Sequence, residues 1–156
     1  MNMGSFEPRS VEFKGGFDLE GPIADVFNLF SPLGERLWVP GWSPELLYPP
    51  GVSWQRGQIF RTRSDHHEAV WVVTDLAPSL QRVEYHRVEP EHYVARVTVR
   101  CTGPAVNKTE VIVSYVFVGL SDAGNAEIAE MTDVSFARRM DQWKEWIDRY
   151  MARSNH

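Results

Sequence analysis

Alternation of apolar and polar residues dominates the middle of the chain, and this period of two predicts β-strands. Strands are expected over residues 11–19, 58–63, 68–76, 81–88, 93–101 and 109–120. The turns between the later strands are short, such as those at 77–79 and 89–91. Because parallel strands need a long crossover connection, these short turns predict an antiparallel sheet.

Three segments show instead the 3.6-residue period of a helix. A first short helix is predicted by the apolar residues Ile23, Val26, Phe27 and Phe30, and a second over 34–38. From about 122 to 152 the helical period continues without proline, which predicts one long C-terminal helix. The segment 39–57 holds four prolines and three glycines, and this composition predicts a long loop.

Two hairpins agree on which face of the sheet is exposed. If the first turn is centred on Pro90, Glu84 lies opposite Arg96; if the next is centred near residue 105, Arg100 lies opposite Glu110. Opposite charges paired on one face indicate the solvent side, and a one-residue slip would reverse both faces. The phase of strand 68–76 stays open, because residues 71–73 are apolar on both faces. The face expected to be buried carries Val83, Tyr85, Arg87, Tyr93, Ala95, Val97, Val99, Val111, Val113, Tyr115 and Phe117.

The side chains on the apolar stripe of the long helix change in size and polarity along the helix. Its C-terminal half carries large residues at helical spacing, namely Phe136, Met140, Trp143, Ile147 and Tyr150. Towards the N-terminus the same stripe continues as Thr132, Ala129 and Asn125. Such a helix packs tightly at one end and leaves a cavity against the sheet at the other, unless Ile128 and Met131 on the neighbouring stripe fill that space.

The proline-rich segment and its flank are unusually aromatic, with Trp38, Trp42, Tyr48 and Trp54. Burying one aromatic side chain removes about 150–250 Å² from water, so these residues are not all expected to stay exposed. Two arrangements satisfy this expectation. The segment either folds over the cavity mouth as a gate or packs in a homodimer interface.

Length and charge narrow the functional classes. The 156 residues suit a single domain spanning 1–156, and the net charge of −5 leaves no basic face for nucleic acid. The single cysteine excludes an internal disulfide. No apolar run reaches the roughly 20 residues that cross a bilayer, and the N-terminus lacks the apolar core of a secretory signal. We therefore expect a cytoplasmic protein without membrane insertion.

Motifs for metal or phosphate chemistry are missing from the sequence. His66 and His67 are adjacent, but in a strand they point to opposite faces, so a solvated polar turn is favoured over a metal site. Glu35 and Arg36 are expected to pair at the surface rather than to line an entrance. The sequence therefore predicts no metal site and no cofactor.

Three polar residues on the buried face are candidates for contact with a ligand. Arg87 either reaches out of the cavity mouth or binds an anionic ligand group. Tyr85 and Tyr115 either serve as core residues with satisfied hydroxyls or orient a ligand, for example by donating to an enolate oxygen.

The order of these elements and several sequence segments resemble the START-related superfamily, often called SRPBCC, which contains the birch pollen allergen, polyketide cyclases and lipid-transfer domains. The resemblance covers nearly the whole chain and is nearest to a bacterial branch of unassigned activity. It implies an α+β helix-grip fold, in which a curved antiparallel sheet wraps around a long C-terminal helix, with two short helices after the first strand. It also implies a cavity for small apolar or aromatic ligands. The segments that carry it are 23–27, 31–42, 71–75, 82–85 and 124–126, with the region around Trp143.

The leading hypothesis is binding or transport of a small hydrophobic or aromatic molecule between the sheet and the C-terminal helix. A polyketide cyclase or dehydratase and a protein-interaction domain of the chaperone-activator kind are the alternatives. An enzyme needs a titratable group inside the cavity, and the predicted inner face offers only Arg87 and tyrosines. The candidate ligand-binding residues are Trp38, Trp42, Tyr85, Arg87, Tyr115, Phe117, Ala129, Thr132, Phe136 and Met140.

Overall fold

A seven-stranded antiparallel sheet curves around a long C-terminal helix in the computed structural model, which describes residues 6–64 and 67–154. The helices are α1 (Ile23–Asn28), α2 (Asp122–Ala129) and α3 (Asp133–Ser154), with a 3₁₀ turn at Glu35–Leu37. The strands are β1 (Ser10–Glu20), β2 (Glu45–Tyr48), β3 (Ile59–Ser64), β4 (His67–Ala77), β5 (Arg82–Glu89), β6 (Tyr93–Ala105) and β7 (Lys108–Gly119). Their order in the sheet is β1-β7-β6-β5-β4-β3-β2. The predicted α+β helix-grip architecture is confirmed.

The core lies between the concave face of the sheet and α3. Phe136 of α3 stacks on Phe13 of β1 with ring centroids 5.5 Å apart. Gly15 of β1 makes this close approach possible, since a Cβ there would lie 3.2 Å from the Phe136 ring and 3.4 Å from Met140. The apolar stripe of α3 therefore packs directly against β1 through Phe136, Met140 and Ile147, all of which are buried. None of the helices in the described ranges has the length and apolar character of a membrane span.

The two faces of the sheet are those expected, but the predicted pairings are wrong by two residues. Val83 pairs with Val99 rather than with Val97, and Ala95 pairs with Phe117 rather than with Tyr115. Side chains alternate with a period of two, so this shift leaves every residue on its predicted face.

The turns explain the displacement of the pairings. The β5–β6 turn is centred on Glu91, which adopts a left-handed conformation with a φ of 69°, and not on Pro90. As a result Glu84 and Arg96 are diagonal neighbours on the outer face, with an Oε1–Nε distance of 4.0 Å. Arg100 pairs with Ile112, so the expected pairing with Glu110 is not formed.

The C-terminal helix is not continuous as predicted, because a reciprocal cap begins α3 after a break at residues 130–132. The Thr132 hydroxyl accepts a hydrogen bond from the Ser135 amide, and the Ser135 hydroxyl accepts one from the Thr132 amide, both at 3.0 Å. Ile128 of α2 is buried and Met131 packs on the core. These two residues fill most of the predicted gap, leaving a space of about 50 Å³ beside Phe136.

The segment 39–57 is not a pure loop, because it contains the edge strand β2, which pairs with β3. Its aromatic residues differ in environment. Trp42 and Trp54 are half-buried, whereas Tyr48 is 61% exposed. Strand β4 buries Ala69 and Val73, which settles the phase that the sequence left open.

Candidate ligand-binding cleft

A cleft of about 340 Å³ lies between the start of the 39–57 segment, the concave face of the sheet and α3. Strands β3 to β7 all contribute to its walls, because their ends converge where the sheet curves over α3. The residues that line it are Val39, Pro40, Gly41, Trp42, Ser43, Thr62, Arg63, Ser64, Trp71, Arg87, Tyr93, Tyr115, Phe117 and Arg139.

Two indoles form one wall of the cleft. Trp42 and Trp71 meet edge to face with ring centroids 5.5 Å apart, and Trp71 stacks on the buried Phe60 at the same distance. The Trp42 indole nitrogen donates to the Pro32 carbonyl at 2.7 Å, and that of Trp71 donates to the Thr62 hydroxyl at 3.0 Å. Because both N–H groups are already satisfied inside the protein, the wall offers apolar ring surface and a fixed geometry.

Arg87 closes the end of the cleft near β6. Its guanidinium carbon lies 5.4 Å from the Trp71 ring centroid and 5.6 Å from that of Tyr93. Its Nη1 donates to the Tyr93 hydroxyl at 2.8 Å and to Glu89 at 2.5 Å. Burial alone would raise the pKa of Glu89, but hydrogen bonds from Tyr93 and Arg87 and the charge of Arg87 lower it overall. The Arg87 charge is therefore neutralised within the protein.

A second cation lies at the rim of the cleft. Arg139 is an exposed residue of α3, and its guanidinium carbon lies 5.7 Å from the Tyr115 ring centroid. Within residues 6–64 and 67–154, no carboxylate lies within 4.0 Å of this guanidinium. Burial raises the pKa of Tyr115, while the positive charge of Arg139 acts in the opposite direction.

Tyr85 lies in the core next to the cleft. Its hydroxyl donates to the Phe30 carbonyl at 2.7 Å and accepts from the Trp54 indole at 3.1 Å. Both hydrogen bonds are made within the protein. The Tyr85 hydroxyl therefore links β5 to Phe30, which follows α1, and to Trp54. Of the two roles left open for Tyr85, the structure shows that of a core residue with a satisfied hydroxyl.

Glu35 is less exposed than the sequence predicted. It was expected at the surface, but burial raises the pKa of its carboxyl well above the ordinary value. The residue as a whole is half-buried, and it is not among the residues that line the cleft. Its position in a 3₁₀ turn after Pro32 gave no periodic signal from which its orientation could be read.

The predicted site residues fall into three groups. Four of them line the cleft, and these are Trp42, Arg87, Tyr115 and Phe117. Four others pack in the core, and these are Trp38, Tyr85, Phe136 and Met140. Two are exposed and lie outside the cleft, namely Ala129 and Thr132. Their distance from the cleft follows from the helix break, since Thr132 caps α3 instead of facing the sheet.

Ten of the fourteen lining residues were not among the predicted site residues, and three of these ten add aromatic and charged character to the cleft. Trp71 lies on the strand whose phase was ambiguous, and Arg139 lies on the polar side of the apolar stripe of α3. Tyr93 was assigned correctly to the inner face. Its proximity to Arg87 could have indicated that it lines the cleft.

Other reactive groups do not assemble into a second chemical site in the described residues. No cluster of three or more His, Cys, Asp or Glu residues there has the spacing of a metal site. His66 lies outside the described residues. Cys101 is buried, and burial raises the pKa of its thiol to about 12, so the thiol stays protonated at neutral pH.

A larger depression of about 690 Å³ lies between α1 and the C-terminal end of α3. Tyr150 is the single aromatic residue among those that line it, and Glu20 and Asp25 add negative charge. It lacks the convergence of aromatic surface and fixed cations found in the cleft, so the cleft is the stronger candidate.

Comparison with known proteins agrees on the fold. No protein-family model matches the chain, and no curated protein matches it. Norcoclaurine synthase from Thalictrum flavum, in complex with dopamine and hydroxybenzaldehyde, is 12% identical with a TM-score of 0.64, over 90% of this chain and 87% of that one. A hypothetical protein from Helicobacter pylori is 8% identical with a TM-score of 0.70, over 90% and 87% of the two chains. Ara h 8.0201 is 13% identical with a TM-score of 0.62, over 92% and 97%.

At these identities the similarity shows a shared fold and no shared activity. The resemblance to the START-related superfamily is thereby confirmed at the level of architecture. The chain has the helix-grip fold that these solved structures share.

Proposed function

We propose that the protein binds a small aromatic molecule in the cleft beside Trp42. The observation that carries this proposal is the composition of the cleft wall. Five aromatic side chains converge on a space of about 340 Å³, and these are Trp42, Trp71, Tyr93, Tyr115 and Phe117. Ligand sites are typically apolar concavities of about 300–1,000 Å³ with a few placed polar groups.

The size of the cleft limits the ligand. A volume near the lower end of the usual range suits a molecule of one to three rings and excludes a long acyl chain. Norcoclaurine synthase, which has the same fold, holds dopamine and hydroxybenzaldehyde, both single-ring aromatic molecules. This supports the idea that the fold accommodates ligands of this size, without indicating which ligand this chain takes.

The charges of the cleft favour a ligand with an anionic substituent. Arg87 is neutralised by Glu89, whereas the exposed Arg139 has no carboxylate within ion-pair distance in the described residues. A carboxylate or sulfonate at the rim would pair with Arg139 while its ring contacts Trp42.

The fluorescent anionic probe 1-anilinonaphthalene-8-sulfonate tests this proposal. We expect saturable binding of one probe per chain, measured by fluorescence titration at concentrations where sedimentation shows a monomer. Trp42→Ala should weaken binding about tenfold, which corresponds to ~1.4 kcal/mol, within the value of an aromatic contact. Trp146→Phe is the matched control, because Trp146 packs on Trp38 and does not line the cleft.

Two outcomes of this titration would contradict the proposal. Non-saturable binding, or equal affinity of the wild type and Trp42→Ala, would place the probe outside the cleft and contradict the proposal. Far-UV circular dichroism of each variant establishes that the comparison is made between folded proteins.

A further inference from the structure

Two places in the cleft wall offer hydrogen-bond donors that the protein itself does not use. One is at Arg87 of β5 and the other at Tyr115 of β7, and both side chains line the cleft. Strand β6 lies between these two strands in the sheet. Because neighbouring strands are about 4.8 Å apart, the two side chains start from strands about 10 Å apart. A ligand that spans the cleft can therefore contact both donor sites at once.

The first donor site is the hydroxyl of Tyr115, a residue that is only 6% exposed. The hydroxyls of Tyr85 and Tyr93 take part in hydrogen bonds within the protein, whereas that of Tyr115 has no acceptor in the described ranges. It is also not sealed in the core, so it is accessible from the cleft that its side chain lines. The neighbouring Arg139 can only donate hydrogen bonds. The proton of the Tyr115 hydroxyl is therefore available to a ligand.

Tyr115 and Arg139 together suit an anionic ligand group. The Arg139 guanidinium carbon lies 5.7 Å from the Tyr115 ring centroid. Burial raises the pKa of Tyr115 above its ordinary value, so the phenol stays protonated at neutral pH and keeps its donor. One carboxylate can accept a hydrogen bond from the phenol and another from the guanidinium, and hydrogen bonds to a charged acceptor are the stronger kind.

The second donor site is the unused part of the Arg87 guanidinium. Its Nη1 donates to Glu89 and to Tyr93, which occupies both protons of that nitrogen. Three N–H groups remain, one on Nε and two on Nη2. They have no partner among the described residues, and no nitrogen of Arg87 is sealed in the core without one. These N–H groups are therefore accessible on a side chain that lines the cleft.

The Arg87 site favours a neutral acceptor over a second anion. Glu89 already balances the Arg87 charge, and only 4% of the Glu89 side chain is exposed. A ligand carboxylate at this place would lose its hydration beside a buried negative charge, which is costly. A hydroxyl, ether or carbonyl oxygen accepts the same N–H groups without adding charge. The guanidinium lies 5.4 Å from the Trp71 ring centroid and 5.6 Å from that of Tyr93, so the direction of its donors is fixed.

We propose that the cleft selects an aromatic carboxylic acid that carries a neutral oxygen acceptor at the far end of its ring system. The carboxylate accepts from the Tyr115 hydroxyl and from Arg139, and the neutral oxygen accepts from Nε or Nη2 of Arg87. Tyr115 and Arg87 are thus specificity-determining residues of the cleft. This inference rests on the proposed function, because the ring must first bind beside Trp42.

Four naphthalene acids of similar shape test this selection, each measured by displacement of 1-anilinonaphthalene-8-sulfonate and by calorimetric titration. They are 2-naphthoate, 6-ethyl-2-naphthoate, 6-methoxy-2-naphthoate and 2,6-naphthalenedicarboxylate. The ethyl and methoxy groups are nearly equal in size, but only the methoxy group contains an acceptor. The wild type should bind the methoxy compound about fivefold more tightly than the ethyl compound, the usual contribution of one hydrogen bond. The dicarboxylate should bind about tenfold more weakly than the methoxy compound, because its second charge is buried without a counterion.

Two variants assign these preferences to residues. Arg87→Lys keeps the positive charge but loses the planar set of donors, so the methoxy and ethyl compounds should bind equally while 2-naphthoate binds about as before. Tyr115→Phe should weaken all four acids about fivefold and keep the preference for methoxy over ethyl. A purely structural role of Arg87 would change all four affinities together and leave that preference intact.

Each variant has a matched control. Arg82→Lys alters another ion-paired arginine of β5, which pairs with Asp75 and does not line the cleft. Tyr85→Phe removes a buried phenol hydroxyl that is hydrogen-bonded within the protein. Both controls should retain the wild-type preference for methoxy over ethyl and the wild-type affinity for 2-naphthoate.

The outcomes separate this inference from the proposal on which it rests. If 2-naphthoate binds but the methoxy and ethyl compounds bind equally in the wild type, or their difference persists in Arg87→Lys, the role of Arg87 is overturned and the binding proposal stands. A dicarboxylate that binds more tightly than the methoxy compound overturns the neutral acceptor, and unchanged affinities in Tyr115→Phe overturn the role of Tyr115. If neither the probe nor any of the acids binds, both proposals fall. Should Arg87→Lys not fold, the wild-type affinities of the four acids decide.

Discussion

Arg87 and Glu89, two residues apart on the inner face of β5, form an ion pair with an Nη1–Oε2 distance of 2.5 Å. The other Glu89 oxygen lies 2.9 Å from His67 Nδ1 on the neighbouring strand β4. Only 4% of the Glu89 side-chain surface is exposed, so this carboxylate is buried and has partners on both oxygens. The pair holds the guanidinium against Trp71 and Tyr93, and thereby fixes the end of the cleft.

We expect Glu89→Gln to destabilise the protein by about 3 kcal/mol at pH 7, because it leaves the Arg87 charge without its counterion. The pKa of Glu89 is lowered in the folded protein. Its stabilising contribution is therefore complete above the ordinary glutamate pKa and is lost as the pH falls through the lowered folded-state value. Urea unfolding of the wild type and the variant should show a difference that is constant near neutral pH and shrinks as the pH falls below the ordinary glutamate pKa.

Glu68→Gln is the control for that prediction. Glu68 pairs with Arg63 at the surface, where the two side chains are 51% and 61% exposed, and such pairs contribute about 0–1 kcal/mol. A loss as small in Glu89→Gln as in Glu68→Gln would mean that the buried pair does not hold the end of the cleft.

Trp38 and Trp42 should respond differently to truncation. Trp38 is 4% exposed and donates its indole N–H to the Leu29 carbonyl at 2.8 Å. Trp38→Ala is expected to cost about 3–5 kcal/mol of unfolding free energy, as for a buried core aromatic. Trp42→Ala should cost less, since Trp42 is half-buried, and should instead weaken ligand binding. Equal losses of stability in the two variants would show that both residues belong to the core and would argue against a cleft wall at Trp42.

Thr132→Ala should destabilise the protein by about 1 kcal/mol, because it removes the hydroxyl that caps α3. Thr132→Ser keeps the cap and serves as the control, with an expected change of only a few tenths of a kcal/mol by the usual ranking of capping residues. Thermal unfolding measures both. A change in probe affinity in Thr132→Ala would contradict the placement of Thr132 outside the cleft.

The sequence allowed the sheet faces to be predicted because β5, β6 and β7 alternate cleanly. The pairing itself depends on a single backbone conformation, the left-handed one at Glu91, which the alternation does not encode. In the same way the helical period from 122 to 152 concealed the cap at Thr132, since a threonine is also acceptable inside a helix.

The cleft was predictable where its residues lie on clearly patterned strands, as for Arg87, Tyr115 and Phe117. The place of Trp71 in the cleft was not predictable, because its strand is apolar on both faces. Only the pairing with β5 decides which face of the sheet Trp71 occupies. The partial burial of Glu35 was not predicted either, because the orientation of a residue in a 3₁₀ turn leaves no periodic pattern in the sequence.

Amide and indole NMR spectra during a titration with 2-naphthoate test the binding account most directly. The indole N–H signals of Trp42 and Trp71 report on the cleft, while that of Trp146 reports on a region away from it. The account predicts saturable shifts of the Trp42 and Trp71 signals with no shift at Trp146, and loss of these shifts in Arg139→Gln if the carboxylate pairs with that guanidinium. Shifts confined to Trp146 and residues near Tyr150, or no saturable shift at any indole, would contradict it.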